Sequence, residues 1–416
     1  MFARLLQSGL IALASSLAVL PAAADAVFKP GRGVSMDQWV TWPAPDTWND
    51  PVVFGAYPEW MNFVSDEELA SMRAAGIDTI RMPIEPAFLM HNDDPERLGV
   101  IMAGIKTAID RLLAEDFKVI LDMHTIPRDQ PGVAGVDQIV RDRDTFERYA
   151  ETLEFIAAGL WQYPVDQLAI EVMNEPPHNC EDVVDQSHWQ SMAVRLYSIV
   201  QVASPDRHVV MTGACLGSAV GLSKMDTGVI DENVIWTFHF YEPFAVTHQG
   251  ATWTGDMTKH LRDIPYPPFL FGARGIDQII AFNEAEIMRN ADPANQSEAI
   301  GMLRGNLQST ANQEQLDAVL RAPFETVAAW ADANGIDRSN IFLGEFGMIG
   351  REWETDLNVP TEWRINYMRD VIMIAEEYGF GWSVWSFGGA FGLMQGFGGE
   401  RLDPTLVPDI MPPDGN

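Results

Sequence analysis

The sequence predicts a (β/α)8 TIM barrel, an α/β fold with elaborated loops on the face where the strands end. Three observations carry this reading. Eight short runs of strand character follow one another between residues 33 and 387. Helical periodicity separates most of them. Several runs, such as Val119-Ile-Leu-Asp-Met123 and Ile235-Trp-Thr-Phe-His239, are almost continuously apolar rather than alternating. Strands of that kind are covered on both faces, as in a parallel sheet enclosed by helices. A doubly wound open sheet would carry a glycine-rich loop after its first strand, whereas Gly31-Arg-Gly33 precedes that strand.

Taken in order, residues 1–26 read as an export signal. Arg4 supplies the positive end, Leu10 to Leu20 an apolar run, and Ala24-Asp25-Ala26 a small-x-small cleavage site. The run is too short to span a bilayer comfortably. The expectation is therefore a barrel over residues 27–416, secreted or periplasmic and free of the membrane once the signal is cleaved. The predicted strands are Gly33–Met36, Thr79–Pro83, Val119–Met123, Leu168–Asn174, His208–Thr212, Val234–Tyr241, Ile341–Phe346 and Trp382–Phe387. Helical patterns cover Glu67–Ala75, Ile101–Glu115, Phe146–Gln162, Trp189–Ala203, Phe324–Asn334 and Trp363–Tyr378, with Gly76 and Gly335 as C-caps of two of them. A barrel of this type needs about 250 residues, and most of the excess here falls between positions 244 and 313. That insertion is rich in Pro, Gly and aromatics and too long for a plain connection. It reads as an elaborated loop walling the cleft.

Fifty-nine acidic residues against 27 basic ones give a formal net charge of -32. Such a surface repels nucleic acid and anionic membranes and suits a neutral partner. Cys180 and Cys215 are the only cysteines. Both fall on neighbouring loops at one end of the predicted fold, where export permits them to pair; the alternative is two buried thiols.

Barrel enzymes carry their reactive groups where the strands end. Strand two brings Arg81 there, strand three His124, strand four Asn174-Glu175-Pro176, strand six His239 and Tyr241, strand seven Glu345, and strand eight Trp385. Glu175 and Glu345 thus face each other across the mouth, and a pair of carboxylates is what glycosidic cleavage requires. Spacing leaves open which one is the acid. Other chemistries lack their motifs: no His-x-His or His-Glu-x-x-His for a metal, and no Gly-x-Ser-x-Gly for a serine nucleophile. No metal or cofactor is implied. Trp42, Trp48, Trp253 and Trp353 fall in predicted rim loops, where an indole can stack on a pyranose.

These motifs resemble glycoside hydrolase family 5, the cellulase family. Asn174-Glu175-Pro176 and Leu343-Gly344-Glu345-Phe346-Gly347 look like its two signature regions, with Arg81, His124, His239, Tyr241 and Trp385 in register on the remaining strands. The resemblance implies a retaining hydrolase of a neutral β-linked glycan. Glu345 would be the nucleophile and Glu175 the acid and then the base, about 5 to 5.5 Å apart. It further implies that Asn174 holds the sugar 2-hydroxyl, that Arg81 and Tyr241 keep Glu345 ionised, and that His239 supports Glu175. His124 would contact the sugar and Trp385 would floor the cleavage subsite. An endo-β-1,4-glucanase is the expected activity. β-Mannanase and β-1,3-glucanase are the alternatives within the fold, and a non-catalytic glycan-binding barrel the alternative outside it.

Overall fold

In the computed structural model, eight parallel strands close into a barrel in chain order, β8 pairing back onto β1. They are β1 (Arg32–Ser35), β2 (Thr79–Ile84), β3 (Lys118–Met123), β4 (Leu168–Glu171), β5 (Val209–Thr212), β6 (Val234–His239), β7 (Ile341–Phe346) and β8 (Gly381–Val384). The structure describes residues 27–412 apart from 38, 41–44, 46–47, 49–62, 129–132, 229, 231–232 and 403–404. The expected export signal and Trp42 lie outside the described residues.

Every predicted strand is present, but β4, β6 and β8 stop short of Asn174, Tyr241 and Trp385. The ladder breaks into single bonds there, such as Trp385 N to Phe346 O at 2.8 Å and Phe240 N to Glu345 O at 2.9 Å. Register shifts on both sides of β7 mark the same splaying. The chain is thereby freed to aim side chains into the mouth.

Long helices α1 (Asp66–Ala74), α2 (Pro95–Ala114), α3 (Arg143–Leu160), α4 (Val183–Ala203), α5 (Gly272–Asn290), α6 (Gln296–Ser309), α7 (Gln313–Ala333) and α8 (Thr361–Tyr378) surround the barrel. Their ends follow local chemistry. Ser65 and Glu68 form a reciprocal capping box at α1, and Asp182 accepts from the Val184 and Asp185 amides at α4. Gly76 and Gly335 take positive φ just past α1 and α7, as expected of C-caps. Helix α2 buries Ile101, Ile105, Ala108, Ile109 and Leu112 along one stripe.

The 244–313 segment differs from the expected loop, since α5 and α6 make up about half of it and pack against each other. Helix α5 was not legible because it buries only Gly275, Ile276, Asn283 and Ile287 and leaves Phe282 and Met288 exposed. Asn283 anchors it, accepting from Arg262 N at 2.7 Å and donating to Arg262 O at 3.0 Å.

Inside the barrel, period-two alternation sorts side chains into layers. Phe28, Ile120, Ala169, Val210, Ile235 and Phe342 form one buried apolar cluster, separate from the shell between strands and helices. Two residues further along four of these strands the inward positions turn polar: Asp122, Glu171, Thr212 and Thr237, all buried. The apolar plug carries the polar layer, and the polar layer carries the site.

Candidate active site

Arg81 is the hub of that polar layer. It sits within β2 rather than at its end as the sequence suggested, and it is fully buried. Its Nε and Nη2 donate to Glu171 at 2.7 and 2.9 Å. Nη2 also lies 2.9 Å from Asp122 Oδ2 and 3.0 Å from Asn174 Oδ1. Nη1 donates to Glu345 Oε1 at 2.6 Å. The planar guanidinium fork is what allows one cation to serve three carboxylates.

Glu345 comes from β7 and Glu175 from the turn after β4. Tyr241 OH donates to Glu345 Oε2 at 3.0 Å. His239 Nδ1 is 2.8 Å from Glu175 Oε1 and 3.6 Å from Glu345 Oε2. One oxygen of each glutamate and a ring nitrogen of His239 lie within 4.8 Å of one another. The two carboxylates differ in setting, with the Glu345 side chain 6% exposed and that of Glu175 31%. Local backbone chemistry makes this possible. A Cβ on Gly344 would come 2.5 Å from Thr237 Oγ1 and 3.1 Å from His239 Nε2, and one on Gly347 2.1 Å from Trp385 O. Glu175 itself holds φ at 34°, a sparsely populated conformation for a non-glycine residue.

The charges act together. Burial alone would raise the Glu345 pKa, but His239, Arg81 and His124 outweigh it and bring it down to about 2. Burial opposes protonation of His239, yet Glu345 and Glu175 raise its pKa. His124 behaves likewise, desolvated but raised by Asp122. Burial and the neighbouring Glu345 charge push the Tyr241 hydroxyl well above its ordinary range, so it stays a hydrogen-bond donor.

Asn174 lies beside Arg81, and its Nδ2 donates to Thr125 O at 3.2 Å. His124 Nδ1 donates to Asp122 Oδ2 at 2.7 Å, and its ring stacks on Trp385, centroids 5.2 Å apart at 10°. All eight residues singled out in the sequence therefore converge on one mouth. Sequence reasoning missed Asp122 and Glu171, although a lone carboxylate inside an apolar strand was the available signal. It also missed His248 and Phe391, which pack edge-on to Tyr241 with centroids 4.8 and 5.9 Å away. Trp253 continues this aromatic row, 6.0 Å from Phe391 and 54% exposed. Trp353 is 56% exposed beside Phe397. Trp48, expected on the rim, is instead buried against Phe88 and His91, because the short helix Pro86–His91 after β2 covers it. Cys180 and Cys215 form a disulfide, tying the segment after Glu175 to the loop after β5. Cys215 N to His178 O and Leu216 N to Pro176 O, at 2.8 and 3.1 Å, reinforce the same junction.

The sequence pattern of the family described as Cellulase (glycosyl hydrolase family 5) matches residues 36–391. The chain belongs to glycosyl hydrolase family 5. Among relatives of this family 5 chain, Endoglucanase 3 of Fibrobacter succinogenes is 26% identical over 271 residues, covering 64% of this chain but only 36% of that longer protein. Endoglucanase C of Acetivibrio thermocellus is 23% identical over 329 residues, covering 78% of this chain and 84% of the relative. A solved hyperthermophilic endo-β-1,4-glucanase in complex with substrate shares the fold at a TM-score of 0.59 and 21% identity, covering 91% of this chain and 96% of that one.

Proposed function

We propose that this family 5 member is a retaining endo-β-1,4-glucanase. The observation that carries the reading is the Glu175–Glu345 pair, oxygens within 4.8 Å yet held in different environments. Carboxyl groups about 5 to 5.5 Å apart leave no space for a water between them and the sugar, which favours a covalent route over direct hydrolysis. Glu345, kept anionic by Arg81 and His239, attacks the anomeric carbon as the glycosidic C–O bond breaks. Glu175, the more exposed partner, protonates the departing oxygen. It then takes a proton from the water that cleaves the glycosyl-enzyme and releases the sugar. Tyr241 and Arg81 aim the nucleophile, His239 orients Glu175, Asn174 meets the 2-hydroxyl, and His124 and Trp385 border the sugar ring.

The endoglucanase names of the relatives support a glucan as substrate, and the acidic composition supports a neutral one. Action outside the cytoplasm is supported by the N-terminal sequence and by the disulfide. No helix among the described residues is long and apolar enough to cross a membrane.

The test measures new reducing ends on carboxymethyl-cellulose, β-1,3-glucan, mannan and xylan, with Glu345→Ala alongside. Release from carboxymethyl-cellulose alone, absent in the variant and giving the β-anomer first by NMR, is the expected result. Preference for mannan or β-1,3-glucan would move the linkage. Binding without turnover on any substrate would overturn the enzymatic reading.

A further inference from the structure

We propose that His178, Asp185 and His188 form a site for a zinc-like divalent cation, outside the catalytic cluster and independent of the glycan reading. His178 lies three residues beyond Glu175. Asp185 and His188 stand one turn apart on α4, so the helical spacing of three brings both to the same face. One donor atom from each of the three residues lies within 4.8 Å of the others.

The spacing of the two imidazoles carries the argument. His178 Nε2 and His188 Nδ1 are 3.2 Å apart. Two nitrogens bound at 2.0–2.1 Å to a tetrahedral ion sit about 3.3–3.4 Å from each other, so the pair needs almost no movement to accept one. The rings meet at 64°, centroids 5.1 Å apart, and without an ion the two nitrogens share a hydrogen bond that a cation would replace. His178 is 1% exposed, and the nitrogen it turns toward the proposed site is Nε2, which meets His188 Nδ1.

Asp185 supplies the third donor and is already oriented. Arg141 donates to its two oxygens at 2.7 and 3.3 Å, and Asn179 N donates to Oδ2 at 2.6 Å. Such partners around a ligating carboxylate fix its aim. His188 is exposed, so a cation can enter from solvent and keep water as its fourth ligand. A bound ion would brace the segment that begins at Glu175 and carries Cys180, clamping it to α4 as the disulfide clamps it to the loop after β5.

The sequence offers no contiguous metal motif here, because the donors stand seven and three residues apart, with Asp185 and His188 on α4 and His178 in the segment before it. The test uses the whole protein, dialysed against chelator and then titrated with zinc chloride. Bound zinc is read by elemental analysis and calorimetry, with melting temperature alongside. One ion per chain and a raised melting temperature are expected, with binding at least about tenfold weaker in His188→Ala and in Asp185→Asn. Glu345→Gln separates this site from the catalytic cluster and should bind zinc as the parent does. Zinc binding that survives His188→Ala, that disappears in Glu345→Gln, or that is absent from the parent would overturn the proposal. His188 is on the surface, so a folded variant is expected, and its circular dichroism checks that.

Discussion

Arg81 and Glu345 meet at 2.6 Å inside the barrel, the guanidinium wholly buried and the carboxylate almost so. The same guanidinium is bound on its other edge by Glu171 and Asp122, so Glu345 is aimed by a cation that is itself fixed in place. Burial of charge on this scale is tolerable only while every member of the cluster is present.

Removing Arg81 should therefore damage folding as well as chemistry. Arg81→Met leaves three carboxylates converging on an apolar side chain, and a loss of about 3–5 kcal/mol in unfolding free energy is expected. Urea denaturation at neutral pH measures it. A loss below 1 kcal/mol, on the order of an ordinary exposed ion pair, would show that the cluster does not act as a unit.

The pKa of Glu345 makes a prediction with a definite sign. Its folded value lies near 2 against an ordinary value of 4.5. Its contribution to stability is therefore complete above about 4.5 and lost as the pH falls toward about 2. The stability difference between the parent and Glu345→Gln should shrink across that window and be constant above it. Denaturation midpoints taken at several pH values decide this.

Small-anion rescue assigns the two glutamates. In Glu345→Gly, azide can take the place of the missing nucleophile and should yield the α-glycosyl azide from an activated β-glycoside. In Glu175→Ala, azide attacks the glycosyl-enzyme without needing a base and should yield the β-glycosyl azide. Both variants should fall by about 10³-fold or more on unactivated substrate. NMR of the products reads the outcome, and the opposite anomers would exchange the roles.

Trp253 stands at the exposed end of the aromatic row that runs from Tyr241 through Phe391. We propose it as an outlying sugar platform, acting in binding rather than in the chemical step. Trp253→Ala should raise KM by about two- to tenfold with kcat little changed. An equal fall in kcat and kcat/KM would place it in the reacting geometry instead.

The Cys180–Cys215 bridge closes a loop of 35 residues. Replacing both cysteines with serine should lower stability by about 3–4 kcal/mol through the freed entropy of the unfolded chain. Chemical denaturation of the double variant, compared with the parent under reducing and oxidising conditions, tests this.

Much of this site was legible in the residues alone, for a physical reason. Barrel strands alternate with period two and end at a common rim, so Arg81, Asn174, Glu175, His239 and Glu345 could be brought together from their positions along the strands. Asp122 and Glu171 were written just as plainly, as lone charges in apolar strands, but their meaning depends on a cation one strand away from the first and two from the second. Trp48 and Trp253 carry the same chemistry in similar loops. One is covered by Pro86–His91 and the other is exposed, and loop sequence does not encode which neighbour will pack over it.

By itself, then, the sequence determined the barrel, the order of its strands and the placing of Glu175 and Glu345 where strands four and seven end, because those rest on local periodicity and strand position. The tertiary structure alone decided the three-carboxylate grip on Arg81, the depressed pKa of Glu345, the helical character of 272–309 and the meeting of His178 with His188. Each of these depends on distances between residues far apart in the chain, and electrostatic and coordination energies are set by those distances rather than by neighbours in sequence.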